Sequence, residues 1–380
     1  QGTLYGKNAI GGVISINSNQ PNQSGLSQST FVEAGSYGTI KNSNSIKYLN
    51  NDLKFVLNID GERSNGYSSF IDTGLASTEK DGYYLYGTSL LSNYKINNNL
   101  ELKFNGRFYK QHNEHDNNFS YPGDSLVYYR DDKISAFLFD IIFKNAQTTH
   151  KLSYQPTYTT RINTSGAKYE YDGKKNKLEY LLSTQFFNFD SLSGIEYLEK
   201  KANLSGKTAN QNTYSIFSEF RLVPFINTNI DLSARREYDS YYGSFDTGRL
   251  QVNHTLMENI ILRSSIGTGY RTPTPYELYS AYGNKDLTPE KSLSYDLGGE
   301  INIDKINANI YLSMFETRVE DIITYASAKY RQTVANLKSN GFESRVKIGI
   351  NDKISTSFNY SKTNAKENDG DSVKLVPKDK

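Results

Sequence analysis

The densest run of chemically capable side chains is "HNEHDNN" at 112–118, which sets His112, Glu114, His115 and Asp116 within five residues. Imidazole nitrogens and carboxylate oxygens are the donors that a metal ion or a polar ligand would take, so a loop could converge them on either. The run lacks the helical His-Glu-x-x-His spacing of a zinc protease. Asp131, Asp132 and His115 could be cast as the carboxylates and base of a rim protease, but they fall on one loop with nothing to orient them. Cysteine is absent, which removes disulfides, thiolate metal sites and thiol nucleophiles together. "GTGYRTPTP" is no phosphate loop, since no Gly-Lys-Ser/Thr follows and no helix is opened, and no EF-hand-like calcium loop occurs. His150 and His254 lie in strand-like segments and need no function. The expectation is a protein that is not an enzyme, with no resident cofactor or metal.

Aromatics in the polar connections offer different chemistry. Tyr67, Phe70, Tyr121, Tyr270, Tyr276, Tyr279 and Tyr282 fall there. With Arg271, and with His112 and His115 as further ligand candidates, they could hold an anionic metal chelate by stacking and charge. The competing reading of 268–291 is structural, with Pro273, Pro275 and Pro289 stiffening a long connection.

Something must position these groups, and composition narrows what. The 380 residues include 31 Tyr and 19 Phe, yet only 36% are hydrophobic. That is below the roughly 45–50% of a globular chain, so apolar content is carried by aromatics rather than by a Leu-rich core. So many rings argue against disorder. No stretch approaches the roughly 20 apolar residues of a spanning helix. A net charge of +2 without a Lys/Arg block excludes a nucleic-acid partner.

Periodicity supplies the scaffold. In "ELKFNGRFYK", Leu102, Phe104 and Phe108 alternate with Glu101, Lys103, Asn105 and Arg107; in "LKFVLNIDGER", Leu53, Phe55, Leu57 and Ile59 oppose Lys54, Asn58 and Asp60. A period of two with apolar and polar faces predicts strands between unlike solvents. Roughly seventeen strands follow, mostly 9 to 13 residues long, as a tilted bilayer crossing requires. Tight connections (50–52, 97–99, 145–148, 188–191, 224–228, 257–259, 304–305, 351–352) alternate with longer ones at 65–82, 111–132, 161–177, 202–211, 237–245 and 269–291. Two outward connections, near 37–41 and 325–329, read as short. Loops sorted by parity predict an all-β, transmembrane antiparallel β-barrel, since lipid accepts no unpaired backbone and a spanning sheet must close. Tyr83, Tyr84, Tyr86 and Tyr109 suit interfacial girdles.

The opening "QGTLYGKNAIGGVISINSNQP" then resembles the end of the plug domain of TonB-dependent outer-membrane receptors, through Gly2, Tyr5, Gly6, Ala9, Gly12, Ile14 and Ile16. "TGYRTPTPYELYSAYGNKDLTPEKSLSYDLGGE" (268–300) resembles that family's outward strand, Pro-rich loop and return strand; "FETRVEDIITY" and "NGFESRVKI" resemble the strands that follow.

The resemblance implies 1–20 as the end of a plug, 21–26 as a linker and 27–380 as barrel. Family barrels of this plugged type have about 22 strands, so most of the plug and the last strands are expected outside this sequence. It further implies a monomer in the Gram-negative outer membrane, surrounded by lipid and lipopolysaccharide. Such a receptor is worked by TonB through a box outside these residues and imports an iron–siderophore, with cobalamin and then haem as alternatives. A passive porin is the rival membrane reading, and the plug-like opening argues against it.

Overall fold

The computed structural model describes residues 6–7, 20–68, 80–116, 128–164, 167–186, 189–333 and 336–367. Contacts group the chain into two units, one of Ile16–Leu181 with Glu196–Thr213, the other of Gln1–Ser15, Leu182–Ile195 and Tyr214–Lys380. Among the described residues there are seventeen long strands, as the alternation predicts, and two short ones that form a separate hairpin.

In the first unit β1 (Gly25–Gly35), β2 (Thr39–Leu49), β3 (Leu53–Ser64), β4 (Tyr83–Lys95), β5 (Leu100–Glu114), β6 (Tyr129–Lys144) and β7 (Thr148–Thr164) pair each with the next, all antiparallel. β8 (Lys168–Phe186), β9 (Phe189–Leu204) and β10 (Lys207–Phe225) follow, with Leu182–Ile195 and the part of β10 from Tyr214 onward belonging to the second unit. In the second unit β11 (Thr228–Asp239), β12 (Gly243–Met257), β13 (Ile260–Arg271), β14 (Glu290–Ile303), β15 (Ala308–Glu320), β18 (Leu337–Asn351) and β19 (Ile354–Glu367) form a similar meander. The hairpin of β16 (Ile323–Ala326) and β17 (Lys329–Gln332) rises between β15 and β18.

The two faces differ as the sequence requires. Phe108, Phe139, Ile141, Phe143, Leu152 and Tyr154 stand exposed on one face of β5–β7. Across the sheet Asp140 and Ser153 are buried, with Ser153 Oγ donating to Asp140 Oδ1 at 2.6 Å. A face of exposed large apolar side chains that runs over many strands is a surface made for lipid.

Asparagine builds the tight turns. The Oδ1 of Asn50, Asn97, Asn145 and Asn351 each accepts from the amides two and three residues on, at 2.6–3.0 Å. A side chain that mimics a backbone carbonyl closes each turn without glycine.

The longer connections depart from expectation in three places. β7 runs to Thr164 and β8 starts at Lys168, β9 and β10 are separated by Ser205 and Gly206, and β11 and β12 by residues 240–242. Strands of up to 19 residues outrun a bilayer crossing, and above the lipid both faces are polar, so alternation fades and the segments read as loop. For the same reason His112 and Glu114 lie in β5, and Asp131 and Asp132 in β6, rather than in a loop. The connection around 325–329 is longer than expected because the β16–β17 hairpin stands in it. "TPTPYELY" does open a helix, the single turn α1 (Pro275–Tyr279), capped by a Thr274–Glu277 box with Pro at its start.

Candidate ligand-binding rim

At the end of the second unit's ladder that carries its longer connections, Arg271 ties three segments together. Its Nε and Nη2 donate to the two oxygens of Glu290 at 2.7 Å each, and Nη1 donates to Glu277 at 3.0 and 3.1 Å. Glu277 closes the α1 capping box by accepting from Thr274 N at 2.6 Å, and Glu290 Oε1 accepts from Ile323 N at 2.8 Å. Gln332 adds a second tie, accepting from Thr288 N at 2.7 Å while its amide donates to the carbonyls of Thr288 and Asp321. A planar fork with fixed partners is a structural knot, so the geometry favours the structural reading of Arg271. Gly283 belongs to the same construction: its amide donates to Ser280 O at 3.1 Å, and a Cβ there would stand 2.6 Å from Leu278 O.

What the knot presents is a group of tyrosines. Tyr276 meets Tyr330 edge-on at 6.1 Å, Tyr325 meets Tyr330 at 5.3 Å, and Tyr282 meets Tyr325 edge-on at 5.7 Å. Tyr276, Tyr282 and Tyr325 remain exposed, and Lys285 lies over the Tyr279 ring at 5.6 Å. Burial, then Glu277, pushes the Tyr330 phenol up from its ordinary value. Sequence reading named Tyr276, Tyr279 and Tyr282; it missed Tyr325 and Tyr330, which the unrecognised hairpin brings in.

Beneath this group lies a buried polar layer on β11. Arg235, Glu237 and Asp239 are buried in alternation along the strand. Arg235 donates from Nε to Glu237 at 2.6 Å and from Nη2 to Ser215 at 2.8 Å, and its guanidinium lies over Phe217 at 4.8 Å. Gly6, at a φ of +75°, packs so close that a Cβ would stand 3.1 Å from Arg235 Nη2, and Lys7 donates to Asp239 Oδ2 at 2.6 Å. Glycine is needed at position 6 for that φ and that approach. The other Asp239 oxygen accepts from Tyr241 N and Tyr242 N, at 2.9 and 3.3 Å, holding the turn whose Tyr241 bonds Tyr279. Burial and the neighbouring Asp239 push the Tyr242 phenol up to about 12. Tyr270 is 4% exposed and stacked on Phe245 at 4.3 Å, so it stands in this layer rather than among the presented rings.

In the first unit the candidates separate. His112 is stacked between Tyr84 and Tyr129, at 5.1 and 5.3 Å, and its Nδ1 meets Asp131 at 2.7 Å. It shares a face with the apolar Phe108. His115 lies apart, its ring 6.2 Å from Tyr128, and among the described residues no three His, Asp or Glu are placed to hold a metal ion. On the opposite face Asp132 is gripped by Arg130 and Arg161, both Nε atoms at 2.6 Å, with Asp132 buried and both arginine side chains 44% exposed. Sequence reading missed this pair. Tyr67 is exposed beside Tyr37 at 5.3 Å. Phe70 and Tyr121, and Gly2, Tyr5, Ala9, Gly12, Ile14 and Ile16 of the plug-like motif, lie outside the described residues.

Comparison with known proteins gives a consistent result. The family model described as "TonB dependent receptor-like, beta-barrel" matches residues 19–380. The vitamin B12 transporter BtuB of Vibrio vulnificus (strain YJ016) is 23% identical over 372 residues, covering 90% of this chain and 57% of that protein. The chain thus spans little more than half the length of this curated relative. Among solved structures, the ferric-catecholate import receptor Fiu from K12 E. coli matches with a TM-score of 0.79 at 15% identity, over 100% of this chain and 71% of that one. The siderophore receptor PirA from Pseudomonas aeruginosa matches with a TM-score of 0.76 at 16% identity, over 96% of this chain and 69% of that one. At those identities the likeness is one of fold. An antiparallel meander with one lipid-ready face and a family match over nearly every residue lead to one conclusion: the chain belongs to the TonB dependent receptor-like β-barrel family of the Gram-negative outer membrane.

Proposed function

We propose that the intact protein is an uptake receptor for an anionic metal chelate, an iron–siderophore first, moved inward by TonB acting on a plug of which residues 1–20 are the end. The observation that carries this reading is the group of Tyr276, Tyr282, Tyr325 and Tyr330, three of them exposed and Tyr330 half-buried, with Lys285 over the Tyr279 ring of the same connection. Aromatic faces backed by cationic side chains attract flat, negatively charged chelates. Lys7 and Gly6, packed into the polar layer of β11, support the reading of the opening residues as plug. The reading is of a receptor and not an enzyme, and takes residues 21–26 as linker and 27–380 as barrel.

Cobalamin uptake is the second reading, favoured by the curated relative, whose name is that of a B12 transporter. Labelled ferric siderophores and labelled cobalamin, supplied to cells with the full gene deleted and then restored, separate the two. Loss and rescue of ferric-siderophore uptake alone is the expected result; loss of cobalamin uptake alone would replace it with the second reading.

A further inference from the structure

We propose that the outward face of β1 and β2 binds a second copy of this chain within the membrane, through neutral amide groups near the middle of the bilayer. The ladder assigns the face. Thr30 pairs with Asn44, and the same row continues through Ile59 of β3 and Thr88 of β4 to Phe108 of β5, which stands on the lipid side. Gln28, Thr30, Asn42 and Asn44 therefore face outward among Leu26, Val32 and Ile40, while the charged residues of the two strands, Glu33, Lys41 and Lys47, point the other way. The ladder also sets the height. Each strand has 11 residues, with the short 36–38 connection at one end and the 50–52 turn at the other. Such a strand rises about 36 Å, and a tilt of about 40° brings this to about 28 Å, little more than the apolar band of about 25 Å. Thr30–Asn44 is the middle pair of that ladder, so it stands deep in hydrocarbon. Where β5–β7 offer lipid Phe108, Phe139 and Ile141, this hairpin offers two asparagines, a glutamine and a threonine.

The polar groups satisfy one another only in part. Thr30 Oγ1 donates to Asn44 Oδ1 at 2.8 Å, and Asn44 Nδ2 donates to Asn42 Oδ1 at 2.6 Å. Among the described residues Asn42 Nδ2 and the side-chain amide of Gln28 have no hydrogen-bond partner. Lipid tails supply none, and an unmet polar group in hydrocarbon costs free energy. Whatever covers the face must bring donors and acceptors together and no charge, since no charge stands here to meet one. A second copy of the same patch does both. Each amide carries an acceptor oxygen and two donor hydrogens, so the surface is complementary to itself across a two-fold axis. Asparagine, glutamine and threonine are side chains that join membrane segments in this way, and the exposed Leu26, Val32, Ile40 and Ile59 around them give the contact an apolar border. The pairing replaces the monomer that the family resemblance implies.

The test is made on the full-length receptor in intact outer membranes. A photo-crosslinking residue, p-benzoylphenylalanine, replaces Val32, the ladder partner of Asn42, or in a control replaces Phe139, on the same face of β6. Adducts formed on irradiation are identified by mass. Position 32 should give an adduct of twice the receptor's mass and position 139 none. N42L/N44L should lower the position-32 adduct by about tenfold or more while keeping heat-modifiable migration, since leucine suits a lipid face. The proposal is overturned if position 32 gives no protein adduct, if positions 32 and 139 give it equally, or if N42L/N44L leaves it unchanged. An adduct of another mass overturns it too, and gives the face to a different protein. Should N42L/N44L fail to assemble, the single variants Q28L and N42L, which leave the Thr30–Asn44 bond in place, must each weaken the adduct.

Discussion

Lys7 Nζ stands 2.6 Å from Asp239 Oδ2, with the two side chains 3% and 0% exposed. One oxygen of a single carboxylate therefore secures the Gly6–Lys7 segment while the other secures the amides of the 240–242 turn. Removing one partner of a buried pair strands the other charge, at about 3–5 kcal/mol. Asp239→Asn, which keeps an oxygen for the turn, should lower the stability of the full-length receptor by about that amount. Lys7→Met combined with Asp239→Asn should recover most of it. Calorimetric unfolding of the single and double variants checks this, and equal midpoints for all would refute it.

Arg271→Lys keeps the charge but gives up the fork that reaches both Glu290 and Glu277. The expected cost is about 3 kcal/mol, concentrated in the 272–289 connection. Limited proteolysis should cut the variant there faster than wild type while leaving the strands intact.

Tyr242 gives a pH signature. Its folded value, up to about 12 against an ordinary 10.0, means the folded turn holds the phenol proton more tightly than an unfolded chain does. The stabilisation is complete below pH 10 and is lost as the pH rises from 10 towards 12. Tyr242→Phe should flatten the loss of stability over that window, read by alkaline unfolding curves of both proteins.

Gly341 lies where β18 passes close to its neighbour, and a Cβ there would overlap the carbonyl oxygen of Lys362 and stand 2.9 Å from the Phe315 ring. Gly341→Val should cost about 1–3 kcal/mol and reduce the heat-modifiable fraction of the assembled receptor on gels.

If the exposed rings hold ligand, Tyr276→Ala with Tyr325→Ala should weaken chelate binding about tenfold, and the corresponding Phe variants should bind nearly as wild type does. Equilibrium binding of the labelled chelate to purified full-length receptor measures it. Equal loss in the Phe variants would assign the effect to hydroxyls instead of ring faces.

The legible parts of the sequence were those with one uniform environment on each side. Leu102, Phe104 and Phe108 announce β5 because lipid lies on one side of them and polar groups on the other, and asparagine at the tight turns carries its own local geometry. Above the lipid that contrast disappears, so His112 and Asp131 read as loop although the ladder continues through both. Tyr276, Tyr279 and Tyr282 could be singled out because they crowd one polar stretch. Tyr325 and Tyr330 could not, since their place depends on a hairpin whose turn, at Ser327 and Ala328, uses positive φ without glycine. Lys7 and Asp239, 232 residues apart, meet through tertiary structure that no local pattern records.

The long strands β8 and β10 have a consequence for how such a surface can change over generations. Each runs 19 residues, well past a bilayer crossing, and the part beyond the lipid is held by main-chain bonds that every residue except proline can make. Outward side chains on that part are free to vary without loosening the wall beneath them. A cell-surface protein built this way can alter what antibodies and phages meet at those positions while the knot at Arg271 and the rings it presents stay the same.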